Sequence, residues 1–332
     1  MAFYLVTGGA GFIGSNLVEA LLKQGETLRV LDNFSTGKKE NLSFTNELSL
    51  PSGRFTLIKG DIRDLSTCHQ ACEKVDFVLH QAALGSVPRS VNDPITTNEV
   101  NIQGTLNLLV AARDAKVKRF IYASSSSVYG NPASAEQQEG KVAAKVESQI
   151  PNPQSPYAIS KLTGEYYCKV FHEIYELGTI SLRYFNVFGQ RQDAHSAYAA
   201  VVPKFIQSLL NDQSPTIYGD GEQSRDFSHI DNVVQANCNA CHAPQNALGE
   251  AINIACGART TVNQLYSNIC EIMNKNIKPL YASPRPGDVK HSLAEIGKAG
   301  NLLHYSPQIK VATGIKKSIE WFSNHFQKTP FQ

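Results

Sequence analysis

The sequence predicts an α/β fold, a doubly wound parallel sheet covered by helices and followed by a smaller mixed α/β domain. Two observations carry this expectation. Through residues 1–188, short β-branched and aromatic runs alternate with longer helical ones, as a parallel sheet with crossover helices requires. From Gly189 the chain becomes less regular and richer in Gly and Pro. Residues 1–188 are therefore assigned to the first domain and 189–332 mainly to the second, with some chain crossing between the two.

The elements follow in order. "FYLVTG" (Phe3 to Gly8) opens as a strand, and "SNLVEALLKQG" continues as a helix. "LRVLD", "FTLIKGD" and "DFVLHQAA" read as strands, with "LSTCHQACEK" as a helix between the last two. "IQGTLNLLVAARDA" then returns to helical character, and "RFIYASS" (Arg119 to Ser125) is a buried strand. The serine run of "YASSSSVYG" thus leaves a strand's carboxyl end, where parallel sheets place ligands, so it is not read as linker. Gly130 to Gln154 is a polar loop. A long helix over 156–177 follows, with Ser155 as its N-cap and Pro156 in its first turn. "ISLRYFNVFG" is another strand and loop.

Composition narrows the function classes. A chain of 332 residues with 42% hydrophobic content buries one large core or two moderate ones. A net charge of +2 argues against nucleic-acid or membrane surfaces as partners, and no apolar run reaches bilayer length. "MAFYLVTGG" reads as a strand beginning at once and not as a signal peptide. Seven cysteines suit a reducing cytoplasm better than a disulfide framework. "CNACH" (Cys238, Cys241, His242) matches the haem-attachment pattern literally. Its helical context makes it two packed cysteines and an exposed histidine, and no metal site is expected.

Two constellations carry chemistry. In "LVTGGAGFIGS", Gly8 or Gly9, Gly11 and Gly14 give a tight strand-to-helix turn, close backbone approach to a pyrophosphate and close helix–strand packing. Asp32 ends the next strand, where a carboxylate accepts from an adenosine ribose and repels a 2′-phosphate; this favours NAD over NADP. Tyr157 and Lys161 form Y-x-x-x-K, one helical turn apart on one face. A tyrosine base starts from a pKa near 10, and bringing it near 7 takes about 4 kcal/mol of selective phenolate stabilisation. A lysine ammonium and an oxidised nicotinamide are suitable sources.

Taken together, "TGGAGFIG", "HQAA", "SSSSVYG", "YAISK", "RYFNVFG" and "RPGD" resemble the extended short-chain dehydrogenase/reductases that act on nucleotide sugars. The resemblance runs the length of the chain. It implies a Rossmann-type domain with tightly held NAD, a carboxyl-terminal domain for the nucleotide sugar, and a homodimer joined through helices. By position it assigns catalysis to Ser125, Tyr157 and Lys161. Cofactor contacts fall on Gly8, Gly11, Phe12, Ile13, Gly14, Asp32, Asn33, Asp61, Ile62, Gln81, Ala82, Ala83 and Asn101, besides Tyr157 and Lys161. Gly85 departs from the pattern, since many relatives carry a lysine there.

The resemblance also implies the reaction. Ser126 and Ser127 stand where sugar-nucleotide dehydratases of the family carry Asp and Glu, and hydroxyls are poor bases near neutral pH. Epimerisation at C4 of a UDP-sugar is then expected. Arg225 and Arg285 resemble diphosphate-binding arginines. Asp288 matches a ribose contact, Ile217 and Tyr218 the uracil segment, and Asn186 a sugar-phosphate contact. Ser292 occupies the gate of the hexose pocket. A small residue there leaves room for a 2-acetamido group, which Ser86, Ser126 and Ser127 could hydrogen-bond. The chain is most similar in these motifs to bacterial UDP-N-acetylglucosamine 4-epimerases, so UDP-GlcNAc/UDP-GalNAc interconversion is the expected reaction. Alternatives are a 4-epimerase for UDP-glucose or UDP-hexosaminuronic acids, a UDP-glucuronate decarboxylase and, more distantly, a non-catalytic NAD-binding regulator. A uronate enzyme needs a cation near C6, and His195, Lys204 and Arg89 are its candidates.

Overall fold

The computed structural model describes residues 1–130, 143–194, 200–284 and 290–325. Arg285, Asp288 and His195 lie outside the described residues. The strands β1 (Phe3–Thr7), β2 (Thr27–Asp32), β3 (Phe55–Lys59), β4 (Phe77–His80), β5 (Arg119–Ser125) and β6 (Thr179–Tyr184) form one sheet with Ala251–Ile254. The spatial order is Ala251–Ile254, β6, β5, β4, β1, β2, β3, and every pairing is parallel. The chain winds outward from β1 to β3 and then returns to place β4 beside β1. That reversal opens a crevice at the carboxyl ends of β1 and β4.

Strand composition follows from burial on both faces. In β1, Leu5 belongs to the core under the helices Leu65–Cys72, Gly104–Asp114 and Pro156–Tyr175, while Val6 belongs to the core on the opposite face. Successive side chains of a strand point to opposite faces, so a strand covered on both sides must be apolar throughout. The opposite face is covered by Phe12–Lys23 and by Ile230–Cys241, a helix from beyond residue 188. Cys68 and Cys72 are buried in one layer and Cys241 in the other.

Ser155 caps the long helix as its sequence suggests, accepting the Ala158 N–H at 3.1 Å. The helix ends at Tyr175, two residues short of expectation, because Glu176 turns left-handed (φ 57°) and closes it. A separate core around Phe188, Phe205, Ile217, Phe227, Leu265 and Ile315 holds the carboxyl-terminal part together.

Candidate active site

The crevice is shaped first by glycines. Gly8 has φ +66°, and a Cβ there would stand 2.8 Å from the Ala82 backbone. At Gly14 a Cβ would meet the Gly8 carbonyl oxygen at 2.1 Å. The Phe12–Lys23 helix starts with no side-chain cap and no acid in its first turn. Its leading N–H groups are left for a ligand, as anion binding at a helix start requires. Asp32 is buried at the end of β2, accepting from Ala10 N at 2.9 Å and Phe34 N at 2.8 Å. It thereby ties the glycine turn to the strand end. The crevice measures about 300 Å³, and its walls include Gly8, Gly11, Phe12, Ile13, Gly14, Asp32, Asn33, Asp61, Ile62, Gln81, Ala82, Ala83, Tyr157 and Lys161.

Among the residues expected to contact the cofactor, Asn101 alone does not line this crevice. It is buried behind the wall, where its amide holds Leu84 N (2.8 Å), Leu84 O (3.1 Å) and Ser160 Oγ (3.0 Å). Asp61 is drawn down to about 2 chiefly by the Arg63 side-chain hydrogen bond, with a further bond from Asn33. It therefore stays ionised at the crevice mouth. Sequence reasoning missed Thr36, Gly37 and Tyr184, which also line the space. The glycine five residues after Asp32 was the available signal for that loop, since a Cβ on Gly37 would stand 3.0 Å from Asp32 Oδ1.

The serine turn lies across from the long helix. Ser125 ends β5 and its hydroxyl accepts the Ser127 N–H at 3.1 Å. Tyr157, in the first turn of the helix, lines the same pocket as Ser125. Burial raises the Tyr157 phenol above its ordinary value, and the neighbouring Ser125 hydroxyl opposes that rise. Lys161, 4% exposed, donates to Ala123 O at 2.7 Å, with its ammonium 5.9 Å from the Tyr157 ring centroid. Burial pulls Lys161 down to about 8, with Cys168 and Glu165 acting in the opposite direction. The protein by itself thus favours a protonated Tyr157, while Lys161, at about 8, keeps most of its charge at neutral pH.

Behind these residues runs a buried ionic network. Glu165, one turn beyond Lys161, accepts from Ser124 Oγ and from Arg183 Nε (2.9 Å) and Nη2 (2.7 Å). Arg183 donates its other nitrogen to Tyr129 Oη at 2.8 Å, and Tyr129 donates to Asn253 at 2.7 Å. Of the four consecutive serines, Ser124 therefore points into the network and Ser125 toward Tyr157.

A second pocket of about 360 Å³ opens beyond Tyr157. Ser86, Ser125, Ser126, Ser127, Tyr157, Asn186, Arg225 and Ser292 line it. Ser86 sits at φ 96°, a conformation disfavoured for a residue with a Cβ and typical of ligand sites. Ser127 Oγ is buried without a hydrogen-bond partner among the described residues. Next to it, a cavity of about 620 Å³ is bounded in part by Asn186, Lys204, Ile217, Tyr218 and Arg225. Lys204 faces this cavity and does not line the serine pocket. Among the described residues, Lys145 lines it together with Arg225, and no motif had marked Lys145.

These two adjoining spaces, with one tyrosine between them, can be set beside known proteins. UDP-glucose 4-epimerase of Mycolicibacterium smegmatis is 37% identical over 326 residues, covering 97% of this chain and 99% of that protein. UDP-N-acetylglucosamine 4-epimerase from Methanobrevibacter ruminantium M1, solved in complex with UDP-N-acetylmuramic acid, superposes with a TM-score of 0.87 at 39% identity, covering 98% of this chain and 99% of that one. UDP-glucuronic acid 4-epimerase from Bacillus cereus, solved with UDP-glucuronic acid and NAD, gives 0.85 at 34% identity, with 98% and 100% covered. The pattern of the NAD dependent epimerase/dehydratase family matches residues 4–255, from the first residues of β1 to just past the last strand of the sheet. A match of that extent, over a crevice whose glycines and acid suit a dinucleotide, makes the chain a member of the NAD-dependent epimerase/dehydratase family.

Proposed function

We propose that this protein interconverts UDP-GlcNAc and UDP-GalNAc by inverting the sugar at C4. The observation that carries the reading is that Tyr157 borders both the glycine crevice and the serine pocket. A base at that junction reaches a sugar hydroxyl on one side and the cofactor space on the other, as proximity requires. In this reading residues 1–188 hold NAD, and residues 189–332 mainly hold the UDP-sugar. Arg225 serves the diphosphate, Ile217 and Tyr218 the uracil, and Asn186 the sugar-phosphate. Arg285 and Asp288 are proposed for the diphosphate and ribose on resemblance alone.

NAD, when bound, supplies a two-electron acceptor for the hydrogen at C4 and a positive charge near the phenol. Tyr157 removes the C4 hydroxyl proton and Ser125 orients that hydroxyl. Lys161 holds the phenol by charge and fixes the Ala123 end of β5. Oxidation at C4 leaves a 4-keto sugar, which turns about its bond to the diphosphate so that reduction falls on the opposite face. Tyr157 then returns the proton. Ser126 and Ser127 hold the sugar and cannot act as the acid and base that eliminating water would need. Support for an acetylated substrate comes from the buried, small Ser292 and from Ser86, Ser126 and Ser127, which line the same pocket with it.

Turnover of UDP-GlcNAc, UDP-Glc, UDP-GlcA and UDP-GlcNAcA without added NAD, with products separated by chromatography, tests the reading. UDP-GlcNAc should give the highest kcat/KM, and a higher value for any of the others overturns it. We further infer a homodimer formed through the exposed apolar side of the Pro156–Tyr175 helix. A cytoplasmic location is supported by seven unpaired cysteines. Among the described residues no helix is long and apolar enough to cross a membrane.

A further inference from the structure

The serine pocket has two walls from distant parts of the chain: the serine turn after β5, and the segment around Ser292. Lys145 touches both. Its ammonium donates to Gly130 O at 2.6 Å, at the end of the serine turn, and lies 5.4 Å from the Tyr129 ring centroid. Its main chain pairs with the other wall: Lys145 N donates to Leu293 O at 2.8 Å, and Lys145 O accepts from Glu295 N at 3.0 Å. Asn253, fully buried, fastens the junction by donating to Lys145 O (2.9 Å) and Glu295 O (3.2 Å) while accepting from Tyr129. The Ser292 wall is anchored from its other side by Asp226, which accepts from Ala294 N at 3.2 Å. Lys145 itself is 7% exposed and lines the pocket. An ammonium is costly to bury, which argues for a specific use.

We propose that Lys145 is a positioning residue that sets sugar specificity. It holds the serine turn at a fixed distance from Ser292, and so fixes the width of the pocket on the side that receives the 2-acetamido group. The inference rests on the acetylated-sugar reading above. An acetamido group fills the gap between the two walls, whereas a plain hydroxyl leaves it to water. Loosening the walls therefore weakens the acetylated sugar more.

The test compares the holoenzyme with its Lys145→Met and Lys145→Gln variants, using kinetics and calorimetric titration of UDP-GlcNAc, UDP-Glc and UDP. In Lys145→Met the ratio of kcat/KM for UDP-GlcNAc over UDP-Glc should fall about tenfold, through KM, with a parallel fall in the ratio of affinities. UDP, which lacks the sugar, should bind each variant with the wild-type affinity. Lys145→Gln keeps a donor for Gly130 without the charge and should lose part of the same preference; if Lys145→Met fails to fold, it decides alone. An unchanged ratio, or an equal loss on both sugars, overturns the proposal. Because the affinity ratio is read without turnover, a wild type inactive on UDP-GlcNAc would refute the proposed reaction without obscuring the role of Lys145.

Discussion

In the proposed reaction Tyr157 has to lose a proton that its own surroundings tend to keep. Burial outweighs the opposing effect of the neighbouring Ser125, and Lys161 is itself drawn down to about 8. A phenol poised in this way has no substitute nearby, since Ser126 and Ser127 are weak bases. Tyr157→Phe should therefore lower kcat by about a hundredfold or more while UDP affinity stays near the wild-type value, as calorimetry would show. Lys161 gives a second prediction with a definite sign. Between about 8 and the ordinary 10.5 the unfolded chain holds the proton on Lys161 and the native protein does not. The unfolded state binds more protons in that window, so native stability gains from Lys161 as pH rises through it, and the burial cost is fully felt below it. Urea unfolding at pH 7.5 and pH 10 should show wild type gaining on Lys161→Met by about 2 kcal/mol; equal differences at both pH values would contradict the buried-ammonium account. That Tyr157 and Lys161 share one helix face was legible from their spacing, and Ser125 was marked by the family resemblance; Tyr157 lines one space with Lys161 and another with Ser125. Lys145 was not legible, since its role depends on Leu293 and Glu295, far along the chain, and no local pattern announces such a contact.

The sheet and its helices were legible wherever strand and helix alternate locally. β1 to β6 and the Pro156–Tyr175 helix follow from period, caps and turn residues, down to the Ser155 cap. The strand Ala251–Ile254 did not, because it joins β6 only after a long connection that includes the helices Val201–Leu210 and Ile230–Cys241, instead of after a short crossover. Nothing in "AINI" distinguishes a sheet edge from a local strand. Close approach of elements was also only half visible. Gly14 was expected from its motif, but Gly164 in the middle of the long helix was not. A Cβ at Gly164 would stand 2.2 Å from Tyr122 Oη on β5, which is fully buried with no room to withdraw. Gly164→Ala should thus push the Pro156–Tyr175 helix off the sheet despite its better helix propensity. The expected loss is about 1–3 kcal/mol, read as a lower urea midpoint, with a fall in kcat because Tyr157 and Lys161 ride on the same helix. A stabilised variant would mean that the helix and β5 are less tightly packed than these distances indicate.

At the scale of the molecule, the long helix has two faces with different obligations. One buries Lys161, Gly164, Glu165, Cys168 and Phe171 against the sheet. The other presents Ile159 (51% exposed), Tyr166 (57%), Val170 (41%) and Ile174 (66%) at helical spacing, beside Val91 (61%) and Ile95 (72%) on the neighbouring segments Val87–Asn92 and Pro94–Asn98. Single exposed apolar residues are ordinary, but a contiguous stripe of them on adjoining helices is a surface that loses free energy in water. In the proposed homodimer a second copy, related by a two-fold axis, would cover this stripe with its own. Sedimentation should give a particle of twice the chain mass. Ile95→Glu together with Ile174→Glu, which places buried like charges across the axis, should reduce it to the chain mass and lower the melting temperature. Tyr157 and Lys161, the residues proposed for catalysis, ride on the same helix, so the monomeric variant should also lose activity as the helix loosens. A wild-type protein that sediments as a single chain across the micromolar range would exclude the two-fold arrangement and leave this stripe to a different partner.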